Sequence, residues 1–296
     1  MFHKEIKMKK ILHNKTCLIT GATSGIGRSA AIEMSKMGAE ICFIARNPEK
    51  AEELNKEIAQ LTGKETFYII ADLSSLKEIE RAASEFINSK KDLHILLNNA
   101  GIVNTERKVT VDGVEEVFAV NHLSYFALTL RLLDKLKESS PARVVNVSSA
   151  AHKFVRNINF DDINSENSFQ TFSVYGQSKL ANILFTRKLS SLLKGSNITV
   201  NCLHPGWVST SLGQQNNRTL MSGLMGLFSP LLAKNSLKGA ETSIFLCSSD
   251  EVSEISGEYF ANCKIQEVSK GAKDKNDQET LWDLSLQLTK LKNISY

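Results

Sequence analysis

A tyrosine and a lysine four residues apart, in Tyr175-Gly176-Gln177-Ser178-Lys179, are the chain's strongest candidates for proton chemistry. The residues that follow, Leu180-Ala181-Asn182-Ile183-Leu184-Phe185, read as helix. At that spacing both side chains leave one helix face, one turn apart. A phenol ordinarily titrates near ~10, and a neighbouring ammonium favours phenolate. The pair therefore predicts a Tyr175 whose pKa is lowered by Lys179 toward the neutral range. The same spacing is common on solvated helices, so its meaning depends on what else the chain carries.

A glycine-rich run supplies the next chemistry. Gly21-Ala22-Thr23-Ser24-Gly25-Ile26-Gly27 lies between an apolar strand pattern, Thr16 to Thr20, and a helical pattern, Ile26 to Met37. Glycines there let the backbone approach a pyrophosphate, and the helix N-terminus offers free N–H groups and partial positive charge. The spacing is G-x-x-x-G-x-G, not the longer dinucleotide fingerprint. The end of the second strand then selects the cofactor. An acid there would accept a hydrogen bond from the 2′-hydroxyl of NAD. This chain has Ala45-Arg46-Asn47 instead, with Arg28 just after the loop. Two guanidinium groups suit a 2′-phosphate, so NADP(H) is expected over NAD(H); the alternative is a pair of surface arginines.

The elements that must position these groups alternate regularly. Strand patterns fall at 16–20, 40–45, 66–71, 93–98, 143–147, 198–203 and 257–260. Helical patterns fall at 26–37, 48–61, 75–87, 111–137, 174–193 and 239–248. Alternation of this kind means βαβ units. The predicted fold is α/β, a doubly wound, Rossmann-type parallel sheet with helices on both faces, forming a single domain over residues 1–296.

Composition fits that class. Of 296 residues, 42% are hydrophobic and 23% charged, as in an ordinary globular protein. A net charge of +4, with lysines scattered among glutamates, argues against a nucleic-acid partner. The five cysteines have no metal-like spacing and no His/Asp/Glu cluster suggests a metal, so none is expected. Residues 1–14 are a basic extension without the apolar core of a signal peptide, and no run is long enough to span a bilayer. A soluble, cytoplasmic protein is expected, with peripheral membrane contact as the alternative.

Several motifs now coincide in order: the Gly21 to Gly27 loop, Asp72-Leu73, Asn98-Asn99-Ala100-Gly101, Asn121, Val147-Ser148-Ser149, Tyr175-x-x-x-Lys179 and Pro205-Gly206. Together they closely resemble the short-chain dehydrogenase/reductase superfamily. Val145 to His152, Ser178 to Arg187, His204-Pro205-Gly206 and Ser256 to Phe260 look like its retinol dehydrogenase branch. The resemblance implies Tyr175 as acid/base, and Lys179 as its partner and a hold on the nicotinamide ribose. It implies Ser149 as the hydrogen bond to the substrate oxygen, with Ser148 as runner-up. Asn121 would help hold a relay water; its alternative is an Asn bonded to backbone.

For the cofactor, the resemblance adds to Gly21, Thr23, Ser24, Gly25, Ile26, Gly27, Arg28 and Arg46. Asp72 and Leu73 would flank the adenine, with Ser74 as a helix cap nearby. Asn98, Ala100 and Gly101 would line its path, Asn98 also tying strands. Pro205, Gly206 and Val208 would pack on the nicotinamide, and Thr210 would lie by its carboxamide or the phosphates. The expected reaction is hydride transfer between nicotinamide and a small lipophilic aldehyde, ketone or alcohol. A catalytically silent NADP(H)-binding regulator and a protochlorophyllide-reductase-like double-bond reductase are the alternatives.

Two apolar segments complete the reading. Residues 207–238, rich in Leu, Met and Phe, are expected to form a substrate lid, with core packing and membrane contact as alternatives. Residues 274–296 read as a C-terminal helix, either docked on the domain or used for self-association into a homodimer or homotetramer.

Overall fold

In a computed structural model, residues 11–206 and 236–292 are described. The expected lid up to residue 235, with Val208 and Thr210, and the extreme termini lie outside them. In chain order the first half runs β1 (Thr16–Thr20), α1 (Gly25–Lys36), β2 (Glu40–Ala45), α2 (Pro48–Thr62), β3 (Phe67–Ile70), α3 (Leu76–Asn88) and β4 (Ile95–Asn98). Next come α4 (Glu116–Phe118), a π-turn (Ala119–Leu123), α5 (Ser124–Arg131), α6 (Leu133–Glu138), β5 (Ala142–Val147) and a 3-10 turn (Ala150–Phe154). Then follow α7 (Thr171–Leu192), β6 (Ile198–His204), α8 (Ser236–Ser248), β7 (Tyr259–Ala261), β8 (Lys264–Ile265) and α9 (Lys275–Thr289).

The strands form one eight-stranded sheet in the order β3-β2-β1-β4-β5-β6-β7-β8. All pairs are parallel except β7 with β8. The central strands β1 and β4 are buried at every position, as strands covered on both faces must be. One apolar layer lies under α3, α5 and α9, and the other under α1, α2 and α8. Strand order reverses between β1 and β4, which opens a crevice at their carboxyl ends. The glycine loop leaves β1 there, and Asn98 to Gly101, Ser148-Ser149 and Pro205-Gly206 leave β4, β5 and β6 at the same edge.

Local chemistry sets several boundaries. Asn47 caps α2 by accepting from the Lys50 N–H at 2.7 Å, with Pro48 in the first turn. Ser75, not Ser74, caps α3 by accepting from the Glu78 N–H. The expected long helix from 111 to 137 is not one helix. Residues 109–115 form a tight turn closed by a Val109–Glu115 bridge, with Gly113 at φ +79°. The buried Glu115 carboxylate then accepts from the Val117 and Phe118 N–H groups, so the helix begins only at Glu116. It passes through the π-turn and breaks again at Leu132.

The C-terminal segment docks on the domain. Leu281 and Trp282 of α9 are buried, and the Trp282 ring packs edge-on against Phe126 of α5 at 5.0 Å. Strand β8 has no counterpart among the expected strands. Asn262 and Cys263, both at positive φ, make the two-residue turn that folds it back onto β7. Among the described residues no helix is long and apolar enough to cross a membrane.

Candidate active site

The site is built from the inside outward. Asn98, fully buried at the end of β4, donates from Nδ2 to Thr129 Oγ1 and to Asn146 Oδ1, both at 2.9 Å. Its side chain therefore ties β4 to β5 and α5 and does not line the crevice. Asn146 in turn donates to Thr186 Oγ1 on α7 at 3.0 Å. This amide ladder fixes α7 against the strand ends.

Tyr175 and Lys179 lie on α7 as the spacing predicts. Lys179 is buried, with Nζ 5.6 Å from the Tyr175 ring centre and 5.7 Å from that of Tyr125. It donates to the Val147 carbonyl at 3.1 Å. Tyr125 is anchored by donating to the Ala100 carbonyl at 2.7 Å. Ser149 leaves β5 in an extended conformation, its Oγ accepts from the Ala151 N–H at 3.1 Å, and its hydroxyl acts on the Tyr175 phenol to lower its pKa. Ser148 is spent elsewhere, since its buried hydroxyl donates to the Lys179 carbonyl at 2.7 Å. Of the two serines, the geometry brings Ser149 to the phenol.

The electrostatics differ from the expectation. Burial pushes the Tyr175 phenol up to about 12, against the Ser149 hydrogen bond that pulls it down. Burial also pushes Lys179 down to about 7. Desolvation disfavours the charged form of each group, and it decides the direction of both shifts. The phenol is a proton reservoir in the protein alone, not an ionised base.

Asn121 sits in the π-turn, fully buried. Its Oδ1 accepts from the Ile102 N–H at 2.7 Å, while Nδ2 donates to the Ile102 carbonyl and to Ser178 Oγ, each at 3.0 Å. The backbone-bonded alternative is thus realised, but on the neighbouring loop. A Cβ built on Gly101 would stand 3.3 Å from Asn121 Oδ1 and 3.4 Å from Lys179 Nζ, so these three residues share one corner. On the far side of Tyr175, a Cβ on Gly176 would stand 2.8 Å from the Ala151 carbonyl oxygen. The bare helix surface there lets the turn after Ser149 close onto α7.

The glycine loop fits a nucleotide phosphate on three counts. Gly21 turns the chain at φ +68°. Gly27 packs so tightly under that turn that a Cβ would overlap the Gly21 carbonyl and approach Asn99 Nδ2 to 2.5 Å. The N-terminus of α1 has no side-chain cap and no acid in its first turn, so its N–H groups face the crevice without a carboxylate competitor. Thr23 and Ser24 border this turn, and the Ile26 side chain packs into the core behind it.

The remaining cofactor candidates divide. Arg46 is exposed and has no partner among the described residues, whereas Arg28 is ion-paired with Glu57 of α2. The Asp72 carboxylate accepts from the Ser74 N–H at 2.9 Å, and the Leu73 side chain is buried in the core. Pro205 and Gly206 are half-buried after β6, with Gly206 at φ +81°.

Some contributors were not legible as candidates. Asn99 donates to the Thr20 and Gly21 carbonyls at 2.9 and 3.2 Å and so locks the glycine turn. Ser178 joins Asn121 to the Tyr175 carbonyl. Both lie inside motifs already quoted, which is the signal that could have found them. Tyr125 carries no such signal, being an aromatic on a buried helix. Among the cysteines, Cys202 is buried and its thiol is pushed up to about 12, so it forms no reactive thiolate near neutrality.

The chain is similar to known proteins over most of its length. Residues 15–220 match the family model described as short chain dehydrogenase. Retinol dehydrogenase 14 of Homo sapiens is 43% identical over 290 residues, spanning 93% of this chain and 86% of that protein. Retinol dehydrogenase 12 of Mus musculus is 40% identical over 275 residues, spanning 93% and 86%. Among solved structures, an uncharacterized protein of Mycobacterium paratuberculosis superposes with a TM-score of 0.76 at 31% identity, covering 96% of each chain. A short chain dehydrogenase of Escherichia coli complexed with NADPH superposes with a TM-score of 0.68 at 23% identity, covering 85% of this chain and 98% of that one.

Proposed function

Because this chain belongs to the short-chain dehydrogenase family, in its retinol dehydrogenase branch, we propose that it is an NADP(H)-dependent oxidoreductase of lipophilic aldehydes, ketones or alcohols. The observation that carries the reading is Lys179 buried behind the Tyr175 ring, with the Ser149 hydroxyl acting on the same phenol. The nicotinamide, when bound, supplies or accepts the hydride. The protein's own part is to hold the substrate oxygen and move its proton.

Ser149 donates to that oxygen and steadies the charge that grows on it. Tyr175 hands over its proton in reduction and takes one back in oxidation. Lys179, anchored on the Val147 carbonyl, stands ready to bind ribose hydroxyls and to recharge the phenol. The shared corner of Asn121, Gly101 and Lys179 supports a water relay ending at Lys179. The α1 N-terminus and the Gly21 to Gly27 turn would hold the pyrophosphate, and Pro205-Gly206 would back the nicotinamide. Reduction suits a site whose phenol stays protonated to about 12.

NADPH oxidation across retinal, medium-chain aldehydes, steroid ketones and quinones, repeated with NADH, tests the reading. Turnover of at least one lipophilic carbonyl with NADPH is expected. Tight NADPH binding with no turnover anywhere in the panel would favour the silent regulator instead.

Cofactor choice rests on the exposed Arg46 at the end of β2, where no acid stands. The relative solved with NADPH supports the same choice. Replacing Arg46 by Asp removes a charge-assisted phosphate contact and adds an acceptor for a ribose hydroxyl. The ratio of kcat/KM for NADPH to that for NADH should fall on the order of ten- to a hundredfold. An unchanged ratio would move the preference to another residue.

A further inference from the structure

His152 lies in the 3-10 turn that follows Ser149 and is fully buried, yet the chemistry above gives it no part. Its ring stands edge-on to Tyr259 of β7 at 5.1 Å. It folds back over its own turn, so that Nδ1 lies 2.7 Å from the Ser149 carbonyl oxygen. The same oxygen accepts from the His152 N–H at 3.2 Å. At the opposite edge of the ring, Nε2 accepts from the Ser269 N–H at 3.3 Å, in the segment that follows β8. A second contact seats that segment on the turn. A Cβ built on Gly271 would stand 2.1 Å from the Arg156 carbonyl oxygen, so the two backbones touch.

Both partners of the ring work in one direction only. A carbonyl oxygen accepts, and a backbone N–H donates. His152 must therefore carry its proton on Nδ1, leave Nε2 bare and stay neutral. The other tautomer would set a lone pair against the Ser149 carbonyl and an N–H against the Ser269 N–H. Ser149 is thus held at two points: its carbonyl by His152, and its Oγ by the Ala151 N–H at 3.1 Å. With Oγ accepting there, the hydroxyl proton is left for the substrate oxygen.

We propose that His152 is a positioning residue for Ser149, braced by the segment after β8. The Ser269 N–H occupies the bare nitrogen, and the Nδ1 proton holds the Ser149 carbonyl. Without the ring, that carbonyl keeps only the longer contact from the His152 N–H, and Ser149 loses part of its hold beside the phenol. The link joins residues 117 positions apart, so the far end of the sheet takes part in shaping the grip on the substrate oxygen. It rests on the reading of Ser149 as the group that holds that oxygen.

Two measurements on the full chain test it. In long-range 15N–1H spectra of 15N-histidine-labelled protein, the ring in contact with Tyr259 should be protonated on Nδ1 alone. A ring protonated on Nε2 overturns the link without reference to activity. Turnover then separates the two edges of the ring. An Asn amide sets an N–H donor where Nδ1 stands, whereas a Gln carbonyl reaches the place of Nε2 and leaves the Ser149 carbonyl without its ring donor. His152→Gln should lower kcat about tenfold, the rate equivalent of one lost buried hydrogen bond. His152→Asn should stay within about threefold of wild type, although it loses the Ser269 contact and melts at a lower temperature.

Equal slowing of the two variants, in step with their loss of Tm, would reduce His152 to a packing residue and overturn the proposal. In a Ser149→Ala background, His152→Gln should have little further effect on kcat, because it acts through the hydroxyl already removed. Additive losses there would overturn the proposal as well. Full turnover in Ser149→Ala alone would instead sink the reading of the site, and the tautomer measurement would still decide the link between Ser149, His152 and Ser269.

Discussion

Tyr175→Phe should lower kcat for carbonyl reduction by roughly 10²- to 10⁴-fold, the usual contribution of a positioned general acid. The substitution removes one oxygen and keeps the ring against which Lys179 packs at 5.6 Å. NADPH affinity should therefore change little, and the loss should fall on kcat and kcat/KM alike. The pH profile sharpens the test. Burial holds the phenol protonated to about 12, so the wild-type enzyme keeps its proton donor across the whole working range. Any titration of reductive turnover near neutrality belongs to Lys179, pushed down to about 7: the ammonium is present below that pH and lost as pH rises through it. A Tyr175→Phe enzyme with full turnover would end the proton-donor assignment, and Ser149 would be the group to examine next.

Gly27→Ala should abolish useful cofactor binding. A single methyl group there overlaps the Gly21 carbonyl and crowds Asn99 Nδ2 at 2.5 Å. The first obstacle is backbone, so the turn itself must move. Asn99 cannot yield easily, because it donates to the Thr20 and Gly21 carbonyls. Overpacking of this kind costs ~1–3 kcal/mol of stability. A displacement of about 1 Å in a positioning loop also loses on the order of a hundredfold in function. Fluorescence titration with NADPH and thermal melting should show weak binding together with a lowered Tm. Wild-type affinity in Gly27→Ala would show that the phosphates lie elsewhere.

Much of this architecture was legible because its signals are local. Each expected strand from Thr16–Thr20 to Tyr259–Ala261 is present within a few residues, since short apolar runs between helical patterns have one stable arrangement. The site residues on α7 were legible because helical spacing fixes which side chains meet. The failures are those of non-local chemistry. A helical reading from residue 111 missed the Glu115 cap, because only folding shows a buried carboxylate facing two N–H groups. The π-turn at Asn121 shifts the hydrogen-bond register without leaving a periodic mark. Strand β8 depends on an Asn-Cys turn that lacks the usual glycine. The Tyr175 pKa was read from its charged neighbour, whereas burial, which depends on the whole fold, decides its direction.

Gly176 sets two levels of organisation against each other. Judged as a helix residue, it is the poorest choice short of proline, and alanine in its place would favour an isolated α7 by about 1 kcal/mol. Judged against the Ala151 carbonyl 2.8 Å from its would-be Cβ, it is the residue the fold requires. The sequence is locally frustrated one residue from the proton donor, in a helix otherwise well suited to its role. Such a position separates what a segment prefers alone from what the assembled protein needs. Here the assembled need is closeness of Ser149 to Tyr175, and the helix yields to it.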